Sequence, residues 1–325
     1  YLADLERRAG RLKRPLKVVC ACGNGTAGLF APRLLRAMGA EVVELHCTPD
    51  WTFPNYNPNP EDMEMLDDMR RAVRETGADL ALGFDGDGDR CGVVDNEGGV
   101  IFSDKIGVLI ARDLARRFPG ARFVVDVKST ALFHTDPVLT GLGAETDYFK
   151  TGHSYIKRRT TELDAIAGFE KSGHFFFRPP VGLGYDDGLV SAIAVLHMLD
   201  NNPGRAMADL YRDLPVTHST PTMSPHCPDE RKYEVVDRII AHYRDLREKG
   251  ETVAGQPIVD VNTVNGVRFT LADGTWGLVR ASSNKPELVV VCESPVSEAM
   301  MRAVWEHIRD HLAGYPEIGE FNQTV

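Results

Sequence analysis

Short apolar runs alternate with amphipathic stretches along the first two thirds of the chain. Leu16-Lys-Val-Val-Cys-Ala-Cys22 is a brief apolar run of the kind a buried strand shows. It enters Gly23-Asn-Gly-Thr-Ala-Gly28, and a helical spacing of Leu29, Leu34, Leu35 and Met38 follows, stopped at Gly39. Glu41–His46 reads as the next strand. The segment from Pro49 to Pro60 holds too much Pro and Asn for regular structure. A helix over about 61–76 and a strand at Ala78–Phe84 complete a strand–helix–strand–helix–strand order, which predicts a parallel α/β layer.

The pattern then restarts. A helix at about 104–117, a strand at Arg122–Asp126, a further helix and a strand near 145–149 lead to Ala165–Phe169 and His174–Arg178, which read as an antiparallel pair. A helix over about 187–199 closes this second unit, whose element order repeats that of the first with little sequence in common. Pro215–Asp229 reads as a linker, or a linker with an edge strand. Beyond it come a helix at about 229–248, three or four strands between Val259 and Glu293, and a last helix at 297–312, a smaller α+β unit.

Length and charge narrow the field. The 325 residues, 43% hydrophobic and 26% charged, are enough for two or three domains with cores of their own. A formal charge of −10 argues against a partner that is nucleic acid or an anionic membrane, either of which calls for a basic face. There is no apolar run near 18 residues and the first residues are not a signal peptide, so the reading is a cytoplasmic, globular protein. The six cysteines are scattered; Cys20 and Cys22 share one face of one strand, and no C-x-x-C pair is present for zinc. The charged first dozen residues read as a helical linker, which suggests that something N-terminal is missing.

The sharpest local signal is Phe84-Asp-Gly-Asp-Gly-Asp-Arg90. On a flat strand, carboxylates at i, i+2 and i+4 spread over about 13 Å. Gly86 and Gly88 permit the curvature that turns Asp85, Asp87 and Asp89 onto one point. Three hard oxygen donors there suit Mg²⁺, whereas crowded carboxylates without a cation repel, which disfavours a plain acidic surface turn. An EF-hand is excluded, because Arg90 stands where that loop needs Gly and Asn96 where it needs Glu. Arg90 either contacts a phosphate or balances the charge.

Three further segments carry chemistry. Gly168-Phe-Glu-Lys-Ser-Gly-His174 packs an acid, a hydroxyl and an imidazole into a turn, able to pair vicinal sugar hydroxyls or simply to close a hairpin. Lys150-Thr-Gly-His-Ser-Tyr-Ile-Lys-Arg-Arg159 is basic in an acidic protein, with His153 a candidate proton shuttle. The bland alternative there is a solvated helix end. Lys128 follows a strand, where α/β sites gather. Arg280-Ala-Ser-Ser-Asn-Lys-Pro-Glu287 offers a guanidinium, two hydroxyls, an amide and an ammonium, a set able to grip a phosphate dianion or to form a polar turn. Gly23–Gly28 is neither a dinucleotide fingerprint nor a P-loop, and reads as turn chemistry.

Taken in order, Asp85–Arg90, Thr151-Gly-His-Ser154, Glu170-Lys-Ser-Gly-His174 and Arg280–Pro286 resemble the α-D-phosphohexomutase superfamily, and within it the bacterial phosphomannomutase/phosphoglucomutase group. Gly23–Gly28, Phe53-Pro-Asn, Asn57-Pro-Asn-Pro60 and Gly184-Tyr-Asp-Asp-Gly188 look like connecting motifs of the same family, so the likeness runs through essentially the whole chain. It implies two α/β mixed-sheet domains, 1–99 and 100–215, and a smaller α+β domain, 216–325, matching the second, third and fourth domains of four. No Thr/Ala-Ser-His-Asn-Pro loop, which carries the family's phosphoserine, occurs in the sequence. The expectation is therefore a fragment, inactive alone, with Tyr1–Arg14 the remnant of an interdomain helix.

The resemblance implies an isomerase that moves phosphate between hexose 1-phosphate and hexose 6-phosphate by way of a phosphoserine and a glucose or mannose 1,6-bisphosphate. Asp85, Asp87 and Asp89 would hold Mg²⁺; Glu170 and Ser172 match the sugar-hydroxyl contacts, with Gly173 and His174 beside them. Arg280, Ser282, Ser283 and Asn284 match the loop for the non-transferring phosphate, and Lys128, His153 and Arg90 fall where cleft residues assist binding and proton transfer. The phosphate loop departs from the common Arg-x-Ser-Asn-Thr-x-Pro, and Lys171 replaces a frequent Met. The Glu-x-Ser-Gly-His form favours gluco- or manno-sugars, and there is no Ser-Gly-Thr-Glu-Pro loop of the N-acetylglucosamine and glucosamine mutases. Two alternatives stand beside this: a sugar-phosphate-binding protein without turnover, and a Mg²⁺-dependent sugar phosphatase. The second lacks an Asp-x-Asp-x-Thr nucleophile.

Overall fold

A computed structural model describes residues 1–323. The chain divides into two units, one of Tyr1–Asp147 with His153–Leu214, the other of Tyr148–Gly152 with the residues from Pro215 onward.

The first unit opens with helix α1 (Leu2–Ala9) and carries two sheets. The first sheet is built from β1 (Lys17–Ala21), β2 (Glu41–Leu45), β3 (Leu80–Phe84), β4 (Cys91–Asp95) and β5 (Val100–Ile101), in the order β2-β1-β3-β4-β5. Helices α2 (Ala31–Ala37) and α3 (Met63–Thr76) make the crossovers. β1 pairs parallel with β2 and β3, but β4 and β5 are antiparallel additions, so the sheet is mixed rather than a purely parallel layer. These two strands escape the hydrophobic pattern because each is short and crowded by Asp and Gly.

The second sheet repeats the plan. Its strands β6 (Arg122–Asp126), β7 (Glu145–Phe149), β8 (Ala167–Phe169) and β9 (Phe175–Phe177) run in the order β7-β6-β8-β9, with β6 and β8 parallel and β8 and β9 antiparallel as expected. The single helix expected between β6 and β7 is two short ones, α5 (Leu132–Thr135) and α6 (Pro137–Gly141). Pro137 cannot continue α5, and the Asp136 carboxylate caps α6 by accepting from the Val138 and Leu139 amides. α7 (His153–Glu162) precedes β8.

α4 (Ser103–Arg117) and α8 (Gly188–Asp200) are the central helices. Residues 103–115 of α4 are buried throughout, and so is nearly all of α8, because both pack between the two sheets, against β4 on one side and β8 or β9 on the other. α9 (Met207–Arg212) closes the unit.

The second unit is an antiparallel sheet of β10 (His218–Ser219), β11 (Thr252–Val253), β12 (Gln256–Asn262), β13 (Val267–Leu271), β14 (Trp276–Ala281) and β15 (Leu288–Ser294), in the order β10-β15-β14-β13-β12-β11. The edge strand expected inside 215–229 is β10. Helices α10 (Lys232–Lys249) and α11 (Glu298–Leu312) cover the sheet over a core in which Tyr243 stacks on Phe269 at 4.2 Å. Among the described residues, no helix is long and apolar enough to cross a membrane.

Candidate active site

Asp85–Arg90 is the loop of the β3–β4 hairpin, whose last pair is Phe84 with Cys91. Gly88 takes φ 80°, the left-handed region that spares glycine a steric penalty. The loop is held from outside. Thr26 donates to the Gly86 carbonyl through its amide at 3.0 Å and its hydroxyl at 3.2 Å, so the Gly23–Gly28 turn is structural, as read, and braces this hairpin. From the other side the Gly188 amide donates to the Gly88 carbonyl at 3.0 Å. A Cβ on Gly188 would stand 2.6 Å from that oxygen and 2.7 Å from the Arg90 carbonyl, so this approach requires glycine.

The bracing brings carboxylate oxygens of Asp85, Asp87 and Asp89 within 4.8 Å of one another. Asp85 is buried, Asp87 exposed, and one oxygen of Asp89 is buried without a hydrogen-bond partner. Burial, with the charges of Asp85 and Asp87 added and His174 opposing, pushes the Asp89 carboxyl up to about 6. Converging carboxylates and an unsatisfied buried oxygen fit a hard cation. Arg90 is turned inward. Its Nε donates to Asp85 at 2.6 Å, its amide to the same carboxylate at 3.0 Å, and its Nη1 to Asn59 at 3.2 Å. Of its two readings, the charge-balancing one describes this geometry.

The corresponding hairpin of the second sheet, β8–β9, carries Glu170–His174. The Glu170 amide donates to the His174 carbonyl and the Gly173 amide to the Glu170 carbonyl, both at 3.0 Å, with Gly173 at φ 97°. Ser172 donates its hydroxyl to Glu170 at 3.2 Å, and Glu170 is buried. The hairpins meet through a bridge between Arg90 and His174. His174 Nδ1 lies 3.2 Å from Asp186 and 3.6 Å from Asp89. Burial alone would lower its pKa, yet the Asp186 bond and the charges of Asp89 and Glu170 raise it.

His153, at the start of α7, lies 4.0 Å from the same Asp186 carboxylate, and the two imidazole rings are 6.3 Å apart. Lys128 Nζ is 3.8 Å from Asp126, a fully buried carboxylate that also accepts from Ser129 Oγ at 2.5 Å and the Lys171 amide at 3.3 Å. Lys171 itself reaches Asp104 at 3.6 Å. Arg159 pairs with Asp147 and Glu162, consistent with the bland reading of that part of the basic run.

Two residues were missed from sequence. Asp186, in Gly184-Tyr-Asp-Asp-Gly188, stands between both histidines, while its neighbour Asp187 caps α8. Asp126 anchors Lys128 to the Glu170 loop. A lone Asp at a strand end carries no signal beyond its position.

In the second unit, Arg280–Glu287 joins β14 to β15 after the pair Ala281–Leu288. The Ser282 amide donates to the Glu287 carbonyl at 2.9 Å, closing the turn. Arg280 and Ser282 are buried, whereas Ser283, Asn284 and Lys285 are exposed. Arg280 Nη1 donates to the Ala281 carbonyl at 2.9 Å, and Lys232 ties the Lys285 carbonyl at 3.0 Å. The predicted phosphate-binding side chains thus share one braced loop.

Comparison with known proteins places these elements. Residues 1–99 match the family described as phosphoglucomutase/phosphomannomutase, alpha/beta/alpha domain II; residues 102–218 match domain III, and residues 226–311 the C-terminal domain. The chain is 39% identical over 302 residues to a phosphomannomutase/phosphoglucomutase of Pseudomonas putida, covering 93% of this chain and 62% of that protein. A phosphoglucomutase of Neisseria meningitidis serogroup A is 37% identical, with 90% and 60% covered. A crystal structure of a phosphoglucomutase/phosphomannomutase family protein from Burkholderia thailandensis superposes with a TM-score of 0.85 at 33% identity, covering 98% of this chain and 65% of that one. The chain belongs to the phosphoglucomutase/phosphomannomutase family, and it spans about three fifths of the length of these curated relatives.

Proposed function

We propose that these residues serve reversible phosphoryl transfer between the 1- and 6-positions of glucose or mannose phosphates, by way of a seryl phosphate and a 1,6-bisphosphate. The observation that carries this reading is the convergence of Asp85, Asp87 and Asp89 beside the Glu170–His174 hairpin, in a chain of this family. On this reading the chain is three domains, 1–99, 100–215 and 216–325, acting in the cytoplasm.

Asp85, Asp87 and Asp89 would hold Mg²⁺, which supplies charge stabilisation to a phosphoryl group when bound. Arg90 balances the charge of Asp85 through its Nε bond to that carboxylate. Glu170 and Ser172 offer an acceptor and a hydroxyl to sugar hydroxyls present in both orientations of the bisphosphate. Arg280, Ser282, Ser283 and Asn284 grip the phosphate that is not transferring. His153 and Lys128 would assist proton exchange with sugar oxygens, and His174 would stand beside the sugar contacts; Asp186 lies near both histidines, and Asp126 near Lys128. The seryl phosphate comes from a loop with no counterpart among these 325 residues, so the chain alone does not turn over.

A coupled mutase assay tests this, with Mg²⁺, glucose or mannose 1-phosphate and a trace of the matching 1,6-bisphosphate. The expected result is no turnover by this chain and turnover once a serine-loop domain precedes it. Robust turnover by these residues alone would mean that they hold their own phosphoryl acceptor, and the assignment of roles would fall.

A further inference from the structure

The first unit contains a second set of metal-ligating side chains, none of them in the loops above. Cys20 lies on β1, Cys22 one residue past its end, and Cys47 two residues past the end of β2. Spacing two residues apart puts Cys20 and Cys22 on one face. The β1–β2 register ends at Ala21 with Leu45, and His46 at φ 51° then turns the chain so that Cys47 Sγ donates to the Cys20 carbonyl at 3.1 Å. The Cys22 sulfur is 3.7 Å from that of Cys20 and 3.4 Å from that of Cys47, and one ligand atom from each lies within 4.8 Å of the others. Three sulfurs bound at about 2.3 Å to one tetrahedral centre stand roughly 3.8 Å apart, so the apo spacing needs little change to close on an ion.

The surroundings point the same way. Cys20 and Cys22 are fully buried and Cys47 is 7% exposed, which gives the cluster a dry interior and one rim. Tyr56, 8% exposed, stands edge-on to His46 with ring centroids 5.6 Å apart, and its phenol oxygen has no hydrogen-bond partner. His46, next to Cys47, is not among the side chains whose ligand atoms converge here, and its Nε2 lies 2.9 Å from Asp68. Hard cations prefer oxygen, and this cluster offers sulfur.

We propose that Cys20, Cys22 and Cys47 form a trithiolate site for a thiophilic cation of the zinc, cadmium or monovalent copper class. Binding forms three metal–sulfur bonds and releases the three thiol protons to solvent. The ion would fasten the end of β1 to the segment after β2. Cys22 leads directly into the turn whose Thr26 braces the acidic loop, so occupancy would stiffen that brace.

The test uses the reduced full chain in excess Mg²⁺, titrated with Cd²⁺ while sulfur-to-cadmium charge-transfer absorption is followed. The expected band saturates at one equivalent, and the melting temperature rises with it. Cys47→Ser, at the rim, and Cys22→Ser should each weaken Cd²⁺ binding by more than the roughly 10–100-fold that loss of an outer partner costs. Cys227→Ser, in the other unit, should leave the band unchanged. No band, or a band that survives in folded Cys22→Ser, overturns the site. So does isolation of the protein with two thiols lost and no metal taken up, which would assign the cluster to oxidation.

Discussion

The Asp85–Arg90 and Glu170–His174 loops occupy the same place in two copies of one strand plan. In each sheet the third strand turns back into an antiparallel fourth, and the loop is the turn between them. Their chemistry diverges. The first collects three acids and neutralises one of them internally with Arg90. The second has a single buried acid, shared with a hydroxyl and followed by an imidazole whose partners are carboxylates. One scaffold position thus provides a cation site in one copy and a hydroxyl-binding turn in the other, and the bridge between Arg90 and His174 joins them. Fold and function separate here: the backbone plan sets where a loop stands, and a handful of side chains decides what it holds.

The strongest way to break this contrast is Asp87→Asn. Asp87 is exposed, so its loss spares the core while removing one of three charges on the cation. Calorimetry should show Mg²⁺ binding abolished; retained affinity would show that the acidic loop is not the metal loop.

Gly188→Ala comes next, because it attacks the brace rather than the ligands. The new Cβ would press on the Gly88 and Arg90 carbonyls, and overpacking of this kind costs about 1–3 kcal/mol. A lower denaturation midpoint together with weaker Mg²⁺ binding is expected. A fall in stability with Mg²⁺ affinity intact would separate the brace from the metal loop.

Glu170→Ala probes the other loop. Removing this buried acceptor should weaken binding of mannose 1-phosphate by the roughly 1–3 kcal/mol of a lost buried partner, with Mg²⁺ affinity unchanged. Unchanged sugar-phosphate binding would remove Glu170 from the sugar contacts.

How much of this was legible beforehand follows from where the signal lay. Asp85-Gly-Asp-Gly-Asp89 announces itself because repeated acids interleaved with glycine have few other uses, and the apolar periods placed α3, α4, α10 and α11 to within a few residues. β4 and β5 were illegible, since short pairs of apolar residues between Asp and Gly look like loop until a neighbouring strand is known. Asp126 and Asp186 were silent for a related reason: their meaning lies in what they face across the fold, and linear spacing says nothing of that. The cysteines show the same effect, since the trio exists only once β1 and β2 are paired.

The finest distinction concerns protons. His174 owes its raised pKa to acids that outweigh its burial, with Asp186 at 3.2 Å foremost among them. Because the folded-state pKa lies above the unfolded value, the charged imidazole contributes stability below the usual His range, and that contribution is lost as pH rises through the folded value. Asp186→Asn keeps the shape and removes the charge. The His174 resonance, followed by nuclear magnetic resonance across the neutral range without added metal, should then titrate at lower pH, and the stabilisation seen under mildly acidic conditions should shrink. A His174 titration that ignores the substitution would mean that Asp89 and Glu170 set its charge, making the histidine a partner of the two hairpins rather than of the strand of chain that leads into α8.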